Sequence, residues 1–363
     1  MNAADSQWMA QALRLAERGL YTTSPNPRVG CVLVNKGKLV GEGWHERAGE
    51  PHAEVHALRA AGNLSKGAIA YVTLEPCSHF GRTPPCADAL IAAGVARVVI
   101  AMQDPNPLVA GQGIAKLRAA GIGVESGLME AAARELNIGF VSRMTRGTPW
   151  VRSKIAASLD GRTALNNGAS KWITGAAARR DVQHWRARSC AVLTGIGTVL
   201  ADDPQLNVRE IETPRQPLRV VLDSGLRMSP GAKILQGGQT LIYTASSDTA
   251  KRQALMACGA EVVTLADADG KVDLLAVMNN LAVRGVNELL VESGRTLNGA
   301  LLKAGLVDEL VLYLAPQLLG DAARGLADLG ELTQLQQRVA LQWNDVRQVG
   351  GDLRIVAKIS KEK

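Results

Sequence analysis

Three short segments, well separated along the chain, set the strongest limit on its fold: Pro51-His52-Ala53-Glu54, Glu75-Pro76-Cys77 and Pro85-Cys86. One imidazole and two thiolates are three protein ligands, the count that leaves a tetrahedral zinc one open position for water. Any fold that uses them must bring three stretches of chain to one point. His52 and Glu54 stand two residues apart, about 200° on a helix, so they converge on one pocket only where a helix begins. Pro51 marks such a start. Pro76 and Pro85 suggest in the same way that each cysteine opens a helix, where the positive end of the dipole favours thiolate. Zinc lowers the pKa of its water to about 7, and Glu54 is then placed to take a proton from that water and return it to a leaving group. Two plainer readings compete: a core histidine with two buried cysteines and no metal, and a closed structural zinc with His79 as fourth ligand. The position of Glu54 and the prolines ahead of both cysteines favour catalysis, with His79 at a substrate phosphate or in the pocket wall. His45 and His56 read as pocket wall or packing, and Cys31, Cys190 and Cys258 as ordinary core residues.

The chain around these segments alternates between strand and helix patterns, and its 363 residues exceed what one core usually fills. Trp8, Met9, Ala12, Leu13 and Ala16 have helical spacing. An apolar run over 29–34 and the turn Asn35-Lys36-Gly37-Lys38 predict a hairpin. A helix follows from Pro51 to just before Gly62, then a strand over 69–74, a helix over 87–93 closed by Gly94, and a strand over 97–102. Arg146-Gly147-Thr148-Pro149 interrupts the pattern, which restarts over 150–159 and continues with strands at 190–195, 218–223, 240–244, 261–265, 288–291 and 309–314. We therefore expect two α/β domains, 1–147 and 148–363. In the second, Val291 to Ala300 leaves a strand and opens a helix, so its backbone N–H groups suit a pyrophosphate. No strand leads into G-x-G-x-x-G with an acidic residue beyond, which argues against a Rossmann fold.

The net charge is +7, but lysine and arginine are scattered without a basic run or interleaved aromatics, which disfavours nucleic acid and leaves small phosphorylated substrates. No stretch approaches the roughly 20 uncharged apolar residues of a membrane span. The start lacks the basic-then-apolar order of a leader. A cytoplasmic location with reduced cysteines is expected.

His-x-Glu followed by two Pro-Cys pairs resembles the cytidine-deaminase superfamily, in which the glutamate is acid and base and not a ligand. Here eight residues separate the cysteines instead of two. That insertion ends in Gly81-Arg82-Thr83-Pro84-Pro85-Cys86 and, with Thr23-Ser24-Pro25-Asn26-Pro27-Arg28-Val29-Gly30, Gly43-Trp44-His45 and Ala48-Gly49-Glu50-Pro51-His52, resembles the bifunctional riboflavin-biosynthesis deaminase/reductase family. The resemblance continues through Lys154-Ile155-Ala156-Ala157-Ser158-Leu159-Asp160-Gly161, Ser170-Lys171-Trp172-Ile173-Thr174-Gly175, Gly195-Ile196-Gly197-Thr198-Val199-Leu200-Ala201-Asp202-Asp203-Pro204 and Leu206-Asn207-Val208-Arg209.

It implies a cytidine-deaminase-like three-layer α/β/α domain followed by a dihydrofolate-reductase-like α/β domain. It also implies zinc on His52, Cys77 and Cys86 and hydrolytic deamination of 2,5-diamino-6-(5-phosphoribosylamino)pyrimidin-4(3H)-one through Glu54. NADPH-dependent reduction of the ribosyl group to ribityl would follow. By the same resemblance Ala156, Trp172, Thr198, Asp202, Ser224 and Gly294, Arg295, Thr296, Leu297, Asn298, Gly299 and Ala300 would contact NADPH. Asn26, Ser170, Arg186, Leu206, Arg209 and Glu292 would contact substrate. Paired guanidinium donors suit a phosphate at Arg186 and Arg209, though Arg186 reads equally as a solvated helix-face charge; Asp202 and Glu292 suit sugar hydroxyls. Lys154 and Asp202 are candidates for handling the proton. The resemblance leaves a homodimer open. Rival readings are a nucleoside or RNA-base deaminase with an accessory domain, and a zinc-stabilised ligand-binding protein.

Overall fold

The apolar stripe near the start forms helix α1 (Ala3–Glu17), with Met9, Ala12, Leu13 and Ala16 buried and a capping box between Asn2 and Asp5 closing its first turn. Strand β1 (Gly30–Asn35) then turns through Lys36 and Gly37, both at positive φ, into β2 (Lys38–Trp44). Next come α2 (Ala53–Ala61), β3 (Ile69–Val72), α3 (Cys86–Ala92), β4 (Arg97–Ile100), α4 (Gln112–Ala119), β5 (Gly123–Ser126), α5 (Glu130–Leu136) and α6 (Ile138–Arg146). This computed structural model describes residues 2–79 and 84–360, so Gly81, Arg82 and Thr83 of the family-like insertion lie outside the described residues. Its contacts divide the chain into Met1–Thr148 and Pro149–Lys363. Among the described residues no helix is long and apolar enough to cross a membrane.

The first sheet runs β2-β1-β3-β4-β5, with β1 antiparallel to both neighbours and β3, β4 and β5 parallel. Glycines set how closely helices approach it. A Cβ on Gly30 would lie 2.0 Å from the Ala12 carbonyl of α1; one on Gly41 would lie 2.3 Å from the Ala57 carbonyl of α2. A Cβ on Gly43 would meet the Ala53 carbonyl at 2.6 Å and the His56 Cβ at 2.5 Å. Gly30 pairs with Trp44, so Gly43 points to the opposite face. Helices α1 and α2 therefore cover opposite faces, which is the three-layer arrangement.

The second unit contains β6 (Trp150–Ser158), β7 (Arg162–Ala164), α7 (Ala176–Arg188), β8 (Ala191–Gly195), α8 (Ile196–Asp202), β9 (Leu218–Leu222), β10 (Thr240–Thr244) and α9 (Thr249–Ala257). It continues with β11 (Ala260–Thr264), α10 (Leu274–Val283), β12 (Glu288–Val291), α11 (Arg295–Lys303), β13 (Glu309–Ala315), β14 (Arg324–Gly325), β15 (Leu341–Val349) and β16 (Asp352–Ile359). Its large sheet runs β11-β10-β9-β8-β12-β6-β13-β16-β15. Every pair from β11 to β13 is parallel, and β16 alone runs the other way, antiparallel to both β13 and β15. After β8 the chain steps outward to β11, then returns to place β12 between β8 and β6. That reversal opens a crevice at the carboxyl ends of the strands, where α/β sheets bind ligands. Arg152, buried on β6, bonds Glu288 of β12 and Glu309 of β13 and so ties three central strands by charge.

Two expectations change, and one pair of strands has no counterpart in the sequence pattern. Cys86 opens α3 directly after Pro85, but Cys77 lies in irregular backbone and opens no helix. Its sulfur instead accepts the Cys86 N–H at 3.3 Å, reaching the first turn of α3 from outside. Cys258 is exposed at the end of α9, not in the core. The hairpin β15–β16 is absent from the sequence reading because β15, at the sheet edge, is mostly exposed and carries no continuous apolar run.

The glycine contact under α2 yields a test. Gly43→Ala forces α2 off the hairpin, and overpacking of this kind costs about 1–3 kcal/mol. The expected result is a lower thermal midpoint together with lower zinc content, since α2 carries His52 and Glu54; an unchanged zinc content would separate helix seating from the metal site.

Candidate functional site

His52 is the N-cap of α2, in extended conformation, and Glu54 lies in the first turn. Because the helix starts there, the two side chains reach one pocket. The His52 Nδ1 is 3.2 Å from the Cys86 sulfur and 3.7 Å from the Cys77 sulfur, and the three ligand atoms lie within 4.8 Å of one another. A tetrahedral zinc with Zn–S of about 2.3 Å and Zn–N of about 2.0–2.1 Å needs ligand atoms roughly 3.5 Å apart, so the residues present fit the ion. Glu54 is buried, and among the described residues its Oε2 has no hydrogen-bond partner. An unpaired carboxylate oxygen in such a place is costly unless a ligand meets it.

Electrostatics follow from crowding. The Cys86 thiol donates to the Cys77 sulfur, and with His52 nearby this holds Cys77 down at about 4; the same shared proton and burial push Cys86 up. Burial raises Glu54, with the His52 imidazole opposing and Cys77 adding to the rise. The hydrogen bond with Cys77 raises His52.

His52, Glu54 and Cys77 line a cleft of about 570 Å³ with Asn26, His45, His79, Asp104, Asn106, Val109, Phe140 and Arg143. His45 is buried, its ring edge-on to His52 with centroids 5.2 Å apart. Its Nδ1 lies 3.2 Å from the Pro51 carbonyl, which can only accept, so that nitrogen carries the hydrogen. Burial lowers the His45 pKa and keeps the ring neutral, leaving Nε2 to accept from the Asn26 amide at 3.1 Å. The amide carbonyl of Asn26 is thereby kept for the cleft. Asn137 holds this loop from α6, accepting from the Arg28 N–H at 2.8 Å and donating to the Arg28 carbonyl at 2.9 Å. His56 packs against Gly43 beneath α2. Asn137 has no motif around it and was not visible in the sequence pattern.

In the second unit the expected residues gather at the carboxyl ends of the parallel strands. Ala156 is near the end of β6; Thr198 and Asp202 lie on α8, Ser224 follows β9, and Gly294 caps α11 after β12. Helices α8 and α11 begin at the ends of neighbouring strands on Gly195 and Gly294, neither start having a side-chain cap. The Thr198 hydroxyl is 4.0 Å from where a Gly294 Cβ would sit, and a Cβ on Gly197 would meet nothing within 4 Å. Two uncapped glycine-led helix starts thus share open space, a setting suited to phosphate oxygens. Gly197 was not singled out from the sequence.

Gly294, Arg295 and Thr296 are exposed there, whereas Leu297 packs toward Gly195 and Gly299 sits against the Asp328 backbone, ahead of half-buried Ala300. Asn298 turns inward: its Oδ1 accepts from Ser153 and Ser293, and its amide donates to the Ser293 and Leu326 carbonyls. Trp172 is 70% exposed beneath the Arg179 guanidinium, in the loop that also holds Ser170. Asp202 pairs with Lys171 at 3.3 Å, and the Ser224 hydroxyl accepts from the Val272 N–H. Leu206 is buried at φ 51°, and the Arg209 N–H donates to Gln183.

Arg186 is no solvated helix-face charge. It is buried and bonds Glu292 through two nitrogens at 2.5 and 3.0 Å, with a third bond to the Asn207 carbonyl. Burial pushes Glu292 up, but Arg186 outweighs it and leaves the carboxyl below its ordinary value. Lys154, half-buried beside this pair, is lowered by burial against the pull of Glu292.

Comparisons with known proteins match this geometry at both ends. The cytidine and deoxycytidylate deaminase zinc-binding region matches residues 2–102, and the RibD C-terminal domain matches residues 149–355. Riboflavin biosynthesis protein RibD of Escherichia coli (strain K12) is 52% identical over 96% of this chain and 98% of its own; its counterpart in Haemophilus influenzae is 48% identical over 98% and 97%. Among solved structures, Acinetobacter baumannii RibD (form 2) superposes with a TM-score of 0.91 at 47% identity, covering 98% of this chain and 99% of that one. A diaminohydroxyphosphoribosylaminopyrimidine deaminase/5-amino-6-(5-phosphoribosylamino)uracil reductase from Thermotoga maritima does so at 0.86 and 32% identity, covering 98% and 99%.

The buried Arg186–Glu292 pair makes a measurable claim. Arg186→Met leaves a buried carboxylate unpaired and should cost the second domain about 3 kcal/mol, while adding Glu292→Gln should restore part of the loss. Because the folded carboxyl sits below the ordinary value of 4.5, the contribution is complete above that pH and fades as pH falls through the folded value. Urea unfolding of both variants across that range checks it; additive losses would mean that the two groups do not stabilise one another.

Proposed function

Because the chain belongs to the RibD family of bifunctional riboflavin-biosynthesis deaminase/reductases, we propose that its two sites act in turn on one phosphoribosylaminopyrimidine. The observation that carries the first step is the buried, unpartnered Glu54 Oε2 beside three converging ligand atoms. His52, Cys77 and Cys86 would hold the zinc, which when bound makes water nucleophilic near neutral pH. Glu54, whose burial favours the protonated form, takes a proton from the attacking water and delivers it to the amino nitrogen. Water oxygen adds to the amino-bearing carbon, the second water proton passes to the neighbouring ring nitrogen as the carbonyl forms, the C–N bond breaks, and ammonia leaves. The Asn26 carbonyl, fixed by His45, is placed to accept from an N–H of the pyrimidine edge.

In the second domain the glycine-led starts of α8 and α11 would take the pyrophosphate of NADPH, which supplies the hydride for the ribosyl carbon C1. A proton goes to the ring oxygen as its bond to C1 breaks, giving the ribityl chain. Trp172, Asp202 and the exposed Gly294–Thr296 turn frame the cofactor; Ser170, Leu206, Arg209 and Glu292 face the substrate in this reading. The Arg186 guanidinium, already held by Glu292, orients that carboxylate more than it waits for a phosphate.

Glu54→Gln should retain zinc, lose ammonia release by a factor on the order of 10² or more, and keep reduction of the deaminated intermediate. Ammonia release at the unchanged rate would remove Glu54 from the chemistry. Gly197→Ala should leave the thermal midpoint unchanged or slightly raised, since alanine favours a helix by about 1 kcal/mol, while raising the KM for NADPH at least about fivefold by filling the open space. An unmoved KM would relocate the cofactor phosphates.

A further inference from the structure

We infer that Glu75 is a positioning residue that builds one wall of the deaminase substrate cleft; this rests on the deaminase reading above. Glu75 is buried, follows β3, and stands two residues before Cys77. Its carboxylate receives three backbone N–H groups from a distant segment: Asp104 at 3.1 Å and Gly111 at 2.9 Å on Oε2, and Ile114 at 3.1 Å on Oε1. The last two belong to the start of α4, whose N-cap Gly111 has no side chain to close it. Glu75 supplies that cap from another part of the chain, where a carboxylate is also favoured by the helix dipole. Gly113 completes the joint. A Cβ there would lie 2.0 Å from the Pro76 carbonyl and 3.2 Å from the Glu75 side chain, so α4 rests directly on the Glu75-Pro76 backbone.

The segment held this way, 104–111, gives Asp104, Asn106 and Val109 to the cleft that also contains His52, Glu54 and Cys77. Local turn bonds shape it, with the Asn106 N–H on Asp104 at 2.8 Å and the Leu108 N–H on Asn106 at 3.1 Å. Glu75 fixes where that shaped loop stands. The zinc ligands have separate supports: Cys77 is gripped by α3, its sulfur accepting from Cys86 and its carbonyl from the Ala87 N–H at 3.1 Å. Loss of the Glu75 carboxylate therefore releases the wall and spares the metal site.

The test uses the full chain loaded with zinc, comparing the unchanged protein with Glu75→Gln and Glu75→Ala. Bound zinc is measured by metal analysis, deaminase kcat and KM by ammonia release from the diaminopyrimidine phosphoribosyl substrate, and reductase activity on the deaminated intermediate. Glutamine keeps one oxygen for Asp104 and Gly111 but turns its amide toward the Ile114 N–H, so its KM should rise about threefold; alanine should raise KM on the order of 30-fold. Zinc content, reductase activity and, within about threefold, kcat should hold. A KM within about twofold of the unchanged chain in both variants overturns the inference. Zinc lost in step with kcat also overturns it, by showing that Glu75 acts through Cys77. No ammonia from the unchanged chain would bring down the deaminase reading and this inference with it, whereas an unmoved KM in a working deaminase removes Glu75 alone.

Discussion

The first domain depends on how closely the backbone of α2 lies on the β1–β2 hairpin. Gly41 and Gly43 leave no side chain between strand and helix, so the Ala53 and Ala57 carbonyls come within the space a Cβ would fill. The start of α2 is then set by the strand and not by a flexible loop, and His52 and Glu54 inherit that placement as N-cap and first-turn residues. A site that must hold atoms within fractions of an ångström gains from support on regular elements. The third ligand arrives on less regular backbone, and its position is recovered through α3, whose first two N–H groups donate to the sulfur and carbonyl of Cys77.

The second domain reaches its site by topology. Parallel strands point all their carboxyl ends one way, and the return of β12 between β8 and β6 leaves two helices, α8 and α11, starting side by side. Their unpaired N–H groups need partners, and the glycines that begin them leave room for a ligand to provide these. At the far ends of the same strands, Arg152 between Glu288 and Glu309 fixes strand register by charge, an arrangement that only one alignment of the three strands satisfies.

Much of this was legible because strands in a buried parallel sheet are continuous apolar runs and glycine or proline marks their ends. The His52, Glu54, Cys77 and Cys86 set was legible because metal chemistry demands particular side chains. What stayed hidden shares a different property. Glu75, Asn137 and Gly113 act through backbone groups far away in the chain, and no local pattern announces such a partner. Asn298 misled in the opposite sense: it lies in a phosphate-like turn, yet its amide is consumed by Ser153, Ser293 and Leu326 inside the domain. The β15–β16 hairpin was missed because an exposed edge strand has no buried face to impose alternation.

The two domains also show how one residue type is steered to opposite electrostatic ends. Glu54 is buried and Glu292 largely so, and burial alone pushes each toward the protonated form. Glu54 has an imidazole nearby but also the sulfur of Cys77, and the balance leaves its proton affinity raised. Burial thus makes its carboxyl hold a proton more tightly than an exposed glutamate does. Glu292 faces Arg186 through a two-pronged contact and Lys154 besides, which together overcome the same burial cost and keep it ionised. It is thereby held as a fixed negative charge against Arg186. The His-x-Glu spacing already marked Glu54 in the sequence, whereas the Arg186 partner of Glu292 is visible only in the fold; the partner, a ligand cluster in one case and a guanidinium in the other, is what separates the two carboxyls electrostatically.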